Sequence, residues 1–543
     1  MPDATLDRIP DPIEFEIFKN LFLSIAEEMG ITLCRTGFSP NIKERLDYSC
    51  AIYDERGQVI AQGDHMPVHL GAMPLSVQAA IQHVDMEAGD AVILNDPFCG
   101  GTHLPDITLV QPIFLEGEPA PVFYVANRAH HSDVGGISPG SMPLAQEVFH
   151  EGLIIPPIKL VRRGEICREV MALILANVRT PIEREGDLSA QIAANRVAEI
   201  RLRGIVARYG LEEIRRFARA VQDYAERILR HTIATIPDGE YSFEDAMDDD
   251  GFGRQHVTIR ATVRIAGDEA EVDFTGTELQ TTGGVNANYA ITLAATLYCF
   301  RCLVQEDVLY NSGISRPIRV IAPAGTIVNA AHPAAVAGGN VETSQRITDV
   351  VLGALAQALP EIVPAASQGT MNNVTLGGRR PDDGSPFAYY ETIGGGMGGR
   401  NGLPGLSGVH THMSNTRNTP IESIEHYLPI RIRQYALRKG SGGAGHYPGG
   451  EGILREYEML TDTSITLLSE RRVSHPYGAQ GGEPGGCGRN SVIRADGSVE
   501  LVAAKVRLEL KAGDRLRIES PGGGGFGSLN AGDGPVESIQ VMA

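Results

Sequence analysis

Phe15, Phe18, Phe22, Ile25 and Met29 recur at helical spacing, so the chain is expected to open on an amphipathic helix. Asp11 is placed to cap it, Pro12 suits its first turn and Gly30 is the expected stop. From about 31 to 160 the pattern shortens to strands between Gly, Pro and Asp turns, as in Cys50–Tyr53, Ala91–Leu94, Ile107–Val110 and Pro121–Val125. Residues 184–231 carry the strongest helical periodicity. One face holds Leu188, Ile192, Val197, Ile200, Leu202 and Ile205; after Tyr209-Gly210 a second face holds Ile214, Phe217, Val221, Tyr224, Ile228 and Leu229. Alternation returns over 240–280, helices over 287–305 and 341–358, and Gly-rich turns with short strands from about 440 onward. The pattern predicts an α+β chain, a large multi-layer mixed α/β body with a strand-rich N-terminal part and a Gly-rich C-terminal part. Four regions follow: strand-rich over 1–180, helical over 181–240, mixed α/β over 241–435 and Gly-rich, mostly β, over 436–543.

Two polar clusters stand at strand ends within the first region. One runs from Asn95 to Asp106 and contains His103-Leu104-Pro105-Asp106; the other runs from Asn127 to Gly136 and contains His130-His131-Ser132-Asp133. Neutral imidazole with carboxylate is the ligand mix of a divalent metal ion that activates water or polarises a carbonyl. Two ligands on the H-x-x-D turn would need little extra ordering to hold an ion. Side chains of consecutive residues leaving a strand point opposite ways, so one of His130 and His131 is expected to ligate and the other to support it or contact substrate. Asp133 could ligate or orient a histidine. Asp47, just before an apolar strand, is a further candidate. The competing reading makes these residues turn and capping groups, but Gly-Gly beside both clusters implies a close backbone approach. His65 and His69 are four apart with Pro67 between them; the proline argues against a helix, which leaves pocket lining or structural hydrogen bonding.

Composition narrows the partners. The formal net charge of −20 does not suit nucleic acid or an anionic membrane surface. No apolar run approaches the roughly 18 residues of a membrane span, and no basic, apolar leader opens the chain. The seven cysteines form no disulfide framework, so a cytoplasmic protein is expected. Cys299 and Cys302 form a single C-x-x-C inside a helical stretch and read as buried core cysteines rather than a zinc site. No phosphate loop or dinucleotide fingerprint is present, so the Gly tracts read as tight turns at a pocket wall or subunit contact. His410 to Glu425 is densely polar and fits either a substrate-pocket lining or an internal hydrogen-bond network.

The two clusters, with Ser138-Pro139-Gly140-Ser141-Met142-Pro143, Asn415-Thr416-Arg417, Ser441-Gly442-Gly443 and Pro521-Gly522-Gly523-Gly524-Gly525-Phe526-Gly527, resemble the hydantoinase B/oxoprolinase family, which is related to acetone and acetophenone carboxylase subunits. The matching segments run in order across nearly the whole chain. The resemblance implies the metal-dependent catalytic B-type subunit of an ATP-dependent cyclic-amide hydrolase. A hydantoinase A-like ATPase subunit would bind ATP and phosphorylate the small cyclic amide, and the two would form a hetero-oligomer. It implies one divalent ion, zinc or manganese, held by Asp47, His103, Asp106 and His130 or His131. Asp133, His131 and His65 are the candidate catalytic residues. The alternatives are a subunit of an ATP-dependent carboxylase and a non-catalytic scaffold subunit.

Overall fold

In the computed structural model, which describes residues 11–529 apart from Asp64, the first helix spans Pro12–Thr36. Asp11 caps it, its Oδ1 accepting from the N–H of Ile13 at 2.8 Å and of Glu14 at 3.3 Å. Gly30 does not stop it. The helix continues because Leu33 extends the buried stripe of Phe22, Ile25 and Met29, and Gly30 instead gives room to His65, whose Nε2 would lie 2.6 Å from a Cβ there.

The strand-rich region forms a seven-stranded antiparallel sheet. At its centre Tyr48–Asp54 pairs with Phe123–His130, which pairs with Asp106–Ile113. The helices Pro181–Tyr209 and Leu211–Ala234, broken at Gly210, pack with the first helix on one face of this sheet. On the other face lies Ala72–His83, a helix within the stretch expected to hold only strands. Met73, Val77 and Ala80 form its buried stripe, but Gly71 and Pro74 obscure the periodicity.

A four-stranded sheet over residues 239–321 packs against the helices Tyr289–Arg301 and Ser344–Ala358 in the largest core cluster. Two antiparallel sheets, of four and five strands, occupy Asn373–Glu519. Strands from both sides of residue 435 share these sheets, Asn373–Arg379 pairing with Thr463–Leu468 and Ile430–Arg438 with Gly452–Met459. Among the described residues no helix is long and apolar enough to cross a membrane. Cys299 is fully buried, whereas Cys302, expected in the core, is exposed because the helix ends at Arg301.

The glycine tracts correct another expectation. They are neither turns nor an exposed contact surface: most are buried, extended segments packed backbone against backbone. The 521–527 segment is their axis. Gly523 donates to the Gly450 carbonyl and accepts from Gly443, Gly524 donates to Ala366 and accepts from Gly399, and Gly525 donates to Glu483 and accepts from Ala479. A Cβ on Gly523 would fall on the Met397 carbonyl, and one on Gly449 would fall on Gly523 itself. Side chains are excluded because neighbouring backbones occupy their space.

Gly523→Ala is therefore expected to destabilise the protein by about 3 kcal/mol or more. Gly204→Ala, on an open helical surface with nothing within 4 Å of its Cβ, should stabilise by roughly 0.5–1 kcal/mol. Denaturant midpoints measure both; equal shifts would refute the packing argument.

Candidate metal centre

Strand register builds the centre. Asp106, first residue of its strand, and His130, last residue of the next, are direct antiparallel partners, which places their side chains side by side on one face. His103 lies on the preceding turn, its carbonyl accepting from Asp106 N–H at 3.1 Å, and its Nε2 stands 3.3 Å from Asp106 Oδ2. Asn288, the N-cap of the 289–301 helix, clamps that loop by donating to the carbonyls of Pro97, Gly101 and Thr102. His69 ends the short 3₁₀ turn Pro67–His69, and its Nε2 reaches within 3.4 Å of the same Asp106 oxygen. Ser49 Oγ, 2.8 Å from His69 Nδ1, fixes that ring. Asn41 Nδ2 lies 3.3 Å from His130 Nδ1, and the Tyr390 ring stacks on His130 at 4.5 Å.

Asp47, His69, Asp106 and His130 line one small enclosed cavity with Asn340, Tyr390, Thr392, Ser414 and Thr416. Asp47 is joined through its backbone, its carbonyl accepting from His130 N–H at 3.0 Å. The structure brings Asp47, Asp106 and His130 together at this cavity with His103 beside Asp106, and adds His69, which the sequence left between pocket lining and structural hydrogen bonding. Tyr390, Thr392 and Asn340 carry no local signal; Ser414 and Thr416 belong to the polar run of residues 410–425.

The other candidates lie elsewhere. His131 turns to the opposite side, where Nε2 is 3.0 Å from Gln191 Oε1, and lines a separate, largely apolar cavity with Asp133 and Arg184. Asp133 accepts from the Arg179 backbone N–H and pairs with its guanidinium at 2.9 Å. His65 packs 5.0 Å from the Tyr48 ring, with Nδ1 accepting from Cys50 N–H at 3.4 Å. The paired glycines serve the chain's own packing: a Cβ on Gly101 would meet the Asn95 and Asp96 carbonyls, and one on Gly136 the Glu151 carbonyl.

Electrostatics suits a cation. Burial, with the His103 charge, pushes His130 well below the usual imidazole range, and burial lowers His69 against the pull of Asp106. Burial favours a protonated Asp106, but His103 and His69 outweigh it and hold that carboxyl well below its ordinary value. Asp47 is pushed up to about 7 by burial, opposed by Arg45. Burial thus favours the neutral, ligating form of His69 and His130 beside an ionised Asp106.

A divalent ion fits these residues. His103 Nδ1, Asp106 Oδ1 and His130 Nε2 are buried with no hydrogen-bond partner, a costly arrangement unless something else binds there. Single ligand atoms of His103, Asp106 and His130 lie within 4.8 Å of one another.

Elemental analysis should find near-stoichiometric metal in the native protein and almost none in His103→Ala or Asp106→Ala, with full content in His131→Gln. Ser49→Ala should weaken metal affinity by roughly 10–100-fold through loss of ring orientation. Full metal content in both His103→Ala and Asp106→Ala would exclude this centre.

The chain matches the family model described as hydantoinase B/oxoprolinase over residues 11–529. It is 45% identical to an uncharacterised protein of Methanocaldococcus jannaschii, covering 95% of this chain and 91% of that one. Its identity to 5-oxoprolinase 1 of Arabidopsis thaliana is 40%, over 96% of this chain but only 42% of the plant protein; it spans about two fifths of several eukaryotic relatives. A Pseudomonas protein named as the B component of a D-/L-hydantoinase is 31% identical, over 95% of this chain and 90% of its own length. Among solved structures, the ATP-dependent caprolactamase of Pseudomonas jessenii superposes with a TM-score of 0.88 at 29% identity, covering 96% of this chain and 92% of that one. An acetone carboxylase chain shares the fold, with a TM-score of 0.88 at 19% identity over 96% of this chain and 77% of its own. By sequence along nearly its whole described length, the chain belongs to the hydantoinase B/oxoprolinase family.

Proposed function

We propose that the chain is the metal-dependent B-type subunit of an ATP-dependent cyclic-amide hydrolase and opens a ring that an A-type ATPase partner has phosphorylated on the amide oxygen. The observation that carries this reading is the buried imidazole–carboxylate centre opening onto a closed cavity, in a family whose members include proteins named as 5-oxoprolinase and as a hydantoinase B component. That bacterial B component, covered over 90% of its length, supports a division of labour between two subunits.

Amides resist water because resonance makes the carbonyl carbon a poor electrophile; O-phosphorylation removes that resonance. Water adds to the activated carbon and gives a tetrahedral adduct. Expelling phosphate from that adduct would only restore the amide, so the productive step breaks the C–N bond. The ring nitrogen departs as an amine with a proton from the water and leaves an acyl phosphate. A second water splits the acyl phosphate into carboxylate and inorganic phosphate.

His69, His103, His130 and Asp106 would hold the ion. A bound divalent ion supplies hydroxide near neutral pH and steadies the developing oxyanion. Asp47, the other carboxylate lining the cavity, takes the proton from water and returns it to the ring nitrogen. Met66, Val68, Val341 and Met371 form an apolar wall that packs the ring and keeps bulk water from the labile intermediate.

Purified alone, the chain is expected to show no ATP-dependent ring opening; with an A-type partner it should open a cyclic amide with one ADP formed per ring. His130→Ala should cut that rate by about a thousandfold, the several kcal/mol expected of a metal centre. Product analysis by mass spectrometry checks the reaction. Full turnover without a second protein, tight ATP binding by the isolated chain, or a carboxylated product that requires bicarbonate would each overturn the reading.

A further inference from the structure

Arg45 is a fully buried guanidinium whose ion-pair contact is Asp47 Oδ2 at 3.9 Å, with Glu391 also within its electrostatic reach. Its Nη1 donates to the Tyr390 carbonyl and Asn41 Oδ1, and its Nη2 donates to Thr392 Oγ1 at 3.0 Å. Thr392 Oγ1 lies 2.9 Å from Thr416 Oγ1, which lies 3.3 Å from Ser414 Oγ. All three hydroxyls are buried and line the cavity that holds Asp106 and His130.

A guanidinium has only N–H donors, so Thr392 Oγ1 accepts from Arg45 and keeps its own hydrogen for Thr416 or the cavity. In the Thr392–Thr416 and Thr416–Ser414 contacts either hydroxyl can donate, and Ser414 Oγ also lies 3.4 Å from His410 Nδ1. A row of hydroxyls with a buried guanidinium at one end can turn donors toward a ligand that accepts hydrogen bonds.

The backbone holds the row in place. Residues 414–417 alternate, Ser414 and Thr416 facing the cavity while Asn415 and Arg417 are exposed. Asn415 Nδ2 donates to the His65 carbonyl and Arg417 N–H to the Arg45 carbonyl, which pins the segment over the centre. Met66, Val68, Val341 and Met371 also line the cavity. The cavity thus combines hydroxyls and hydrocarbon with the metal-type cluster.

We propose that the Thr392–Thr416–Ser414 row, backed by Arg45, is an oxyanion-binding subsite that holds a negatively charged group of the substrate next to the centre. The inference deepens the cyclic-amide reading and rests on it for the identity of the group, which is either the phosphoryl group of the activated ring or a carboxylate that the ring carries.

Direct binding separates the subsite from the reaction. Calorimetric titration of the metal-loaded chain with inorganic phosphate should show binding that Thr416→Val weakens at least tenfold at unchanged metal content and that Thr416→Ser restores; Ser414→Ala gives an independent second variant. In the complex with an A-type partner, KM for 5-oxoproline is compared with KM for 2-pyrrolidinone, the same ring without the carboxylate. Weakened phosphate binding identifies the phosphoryl source. A KM raised for 5-oxoproline alone, with phosphate binding unchanged, identifies the carboxylate. Folded, metal-replete Thr416→Val and Ser414→Ala proteins with unaltered phosphate binding and unaltered KM for both rings would overturn the subsite. If the native complex opens neither ring while phosphate binding still depends on Thr416, the subsite stands and the cyclic-amide reading falls.

Discussion

Asp106 is a carboxylate removed almost completely from water, and the surrounding architecture compensates that charge. An ionised carboxylate in a protein interior is costly unless it is paired and hydrogen-bonded. Two imidazoles, of His69 and His103, approach one of its oxygens, and Thr102 Oγ1 donates to the same oxygen at 2.7 Å. Behind Thr102 lies Arg128, fully buried, spanning Thr102, Thr108 and Ser76. Arg128 and His130 are two apart on one strand and share its face. One side of the sheet thus carries both the centre and its countercharge.

The glycine lattice contributes at a distance. Its axis at 521–527 packs against the 394–399 and 366–368 segments through direct backbone bonds. These segments continue into Thr392 and Met371, which line the cavity. A lattice made of backbone has no rotamers to adjust, so it fixes the positions of its neighbours closely. The same absence of side chains leaves it intolerant of substitution. Thr392 of the hydroxyl row and Met371 of the apolar lining are therefore carried on segments braced from behind.

Much of this was legible along the chain. Local spacing marks the cap at Asp11, the break at Gly210 and the long helices on either side, because these depend on neighbours three and four residues apart. The H-x-x-D turn and the His-His pair were likewise visible as chemistry, and strand alternation required His130 and His131 to diverge. Which of the two faces the centre was not legible. It depends on which side of the sheet the 181–209 helix covers, and that helix supplies Gln191 to His131. His69 was obscured for a similar reason: Pro67 excludes a helical pair with His65, and nothing local shows that the turn after it points to Asp106 rather than outward.

Sequence alone determined the elements that close on themselves, the donor types available for an ion and the family to which the ordered motifs belong. Tertiary structure alone decided the assembly. The cavity gathers residues from the segments around 47, 69, 106, 130, 340, 371, 392 and 415, and no periodicity in one segment encodes its distance from another. The glycine tracts show the same limit from the other direction. A run of glycines permits turns, flexible loops and close packing alike; their packing here follows from the other backbones that occupy the space a side chain would need.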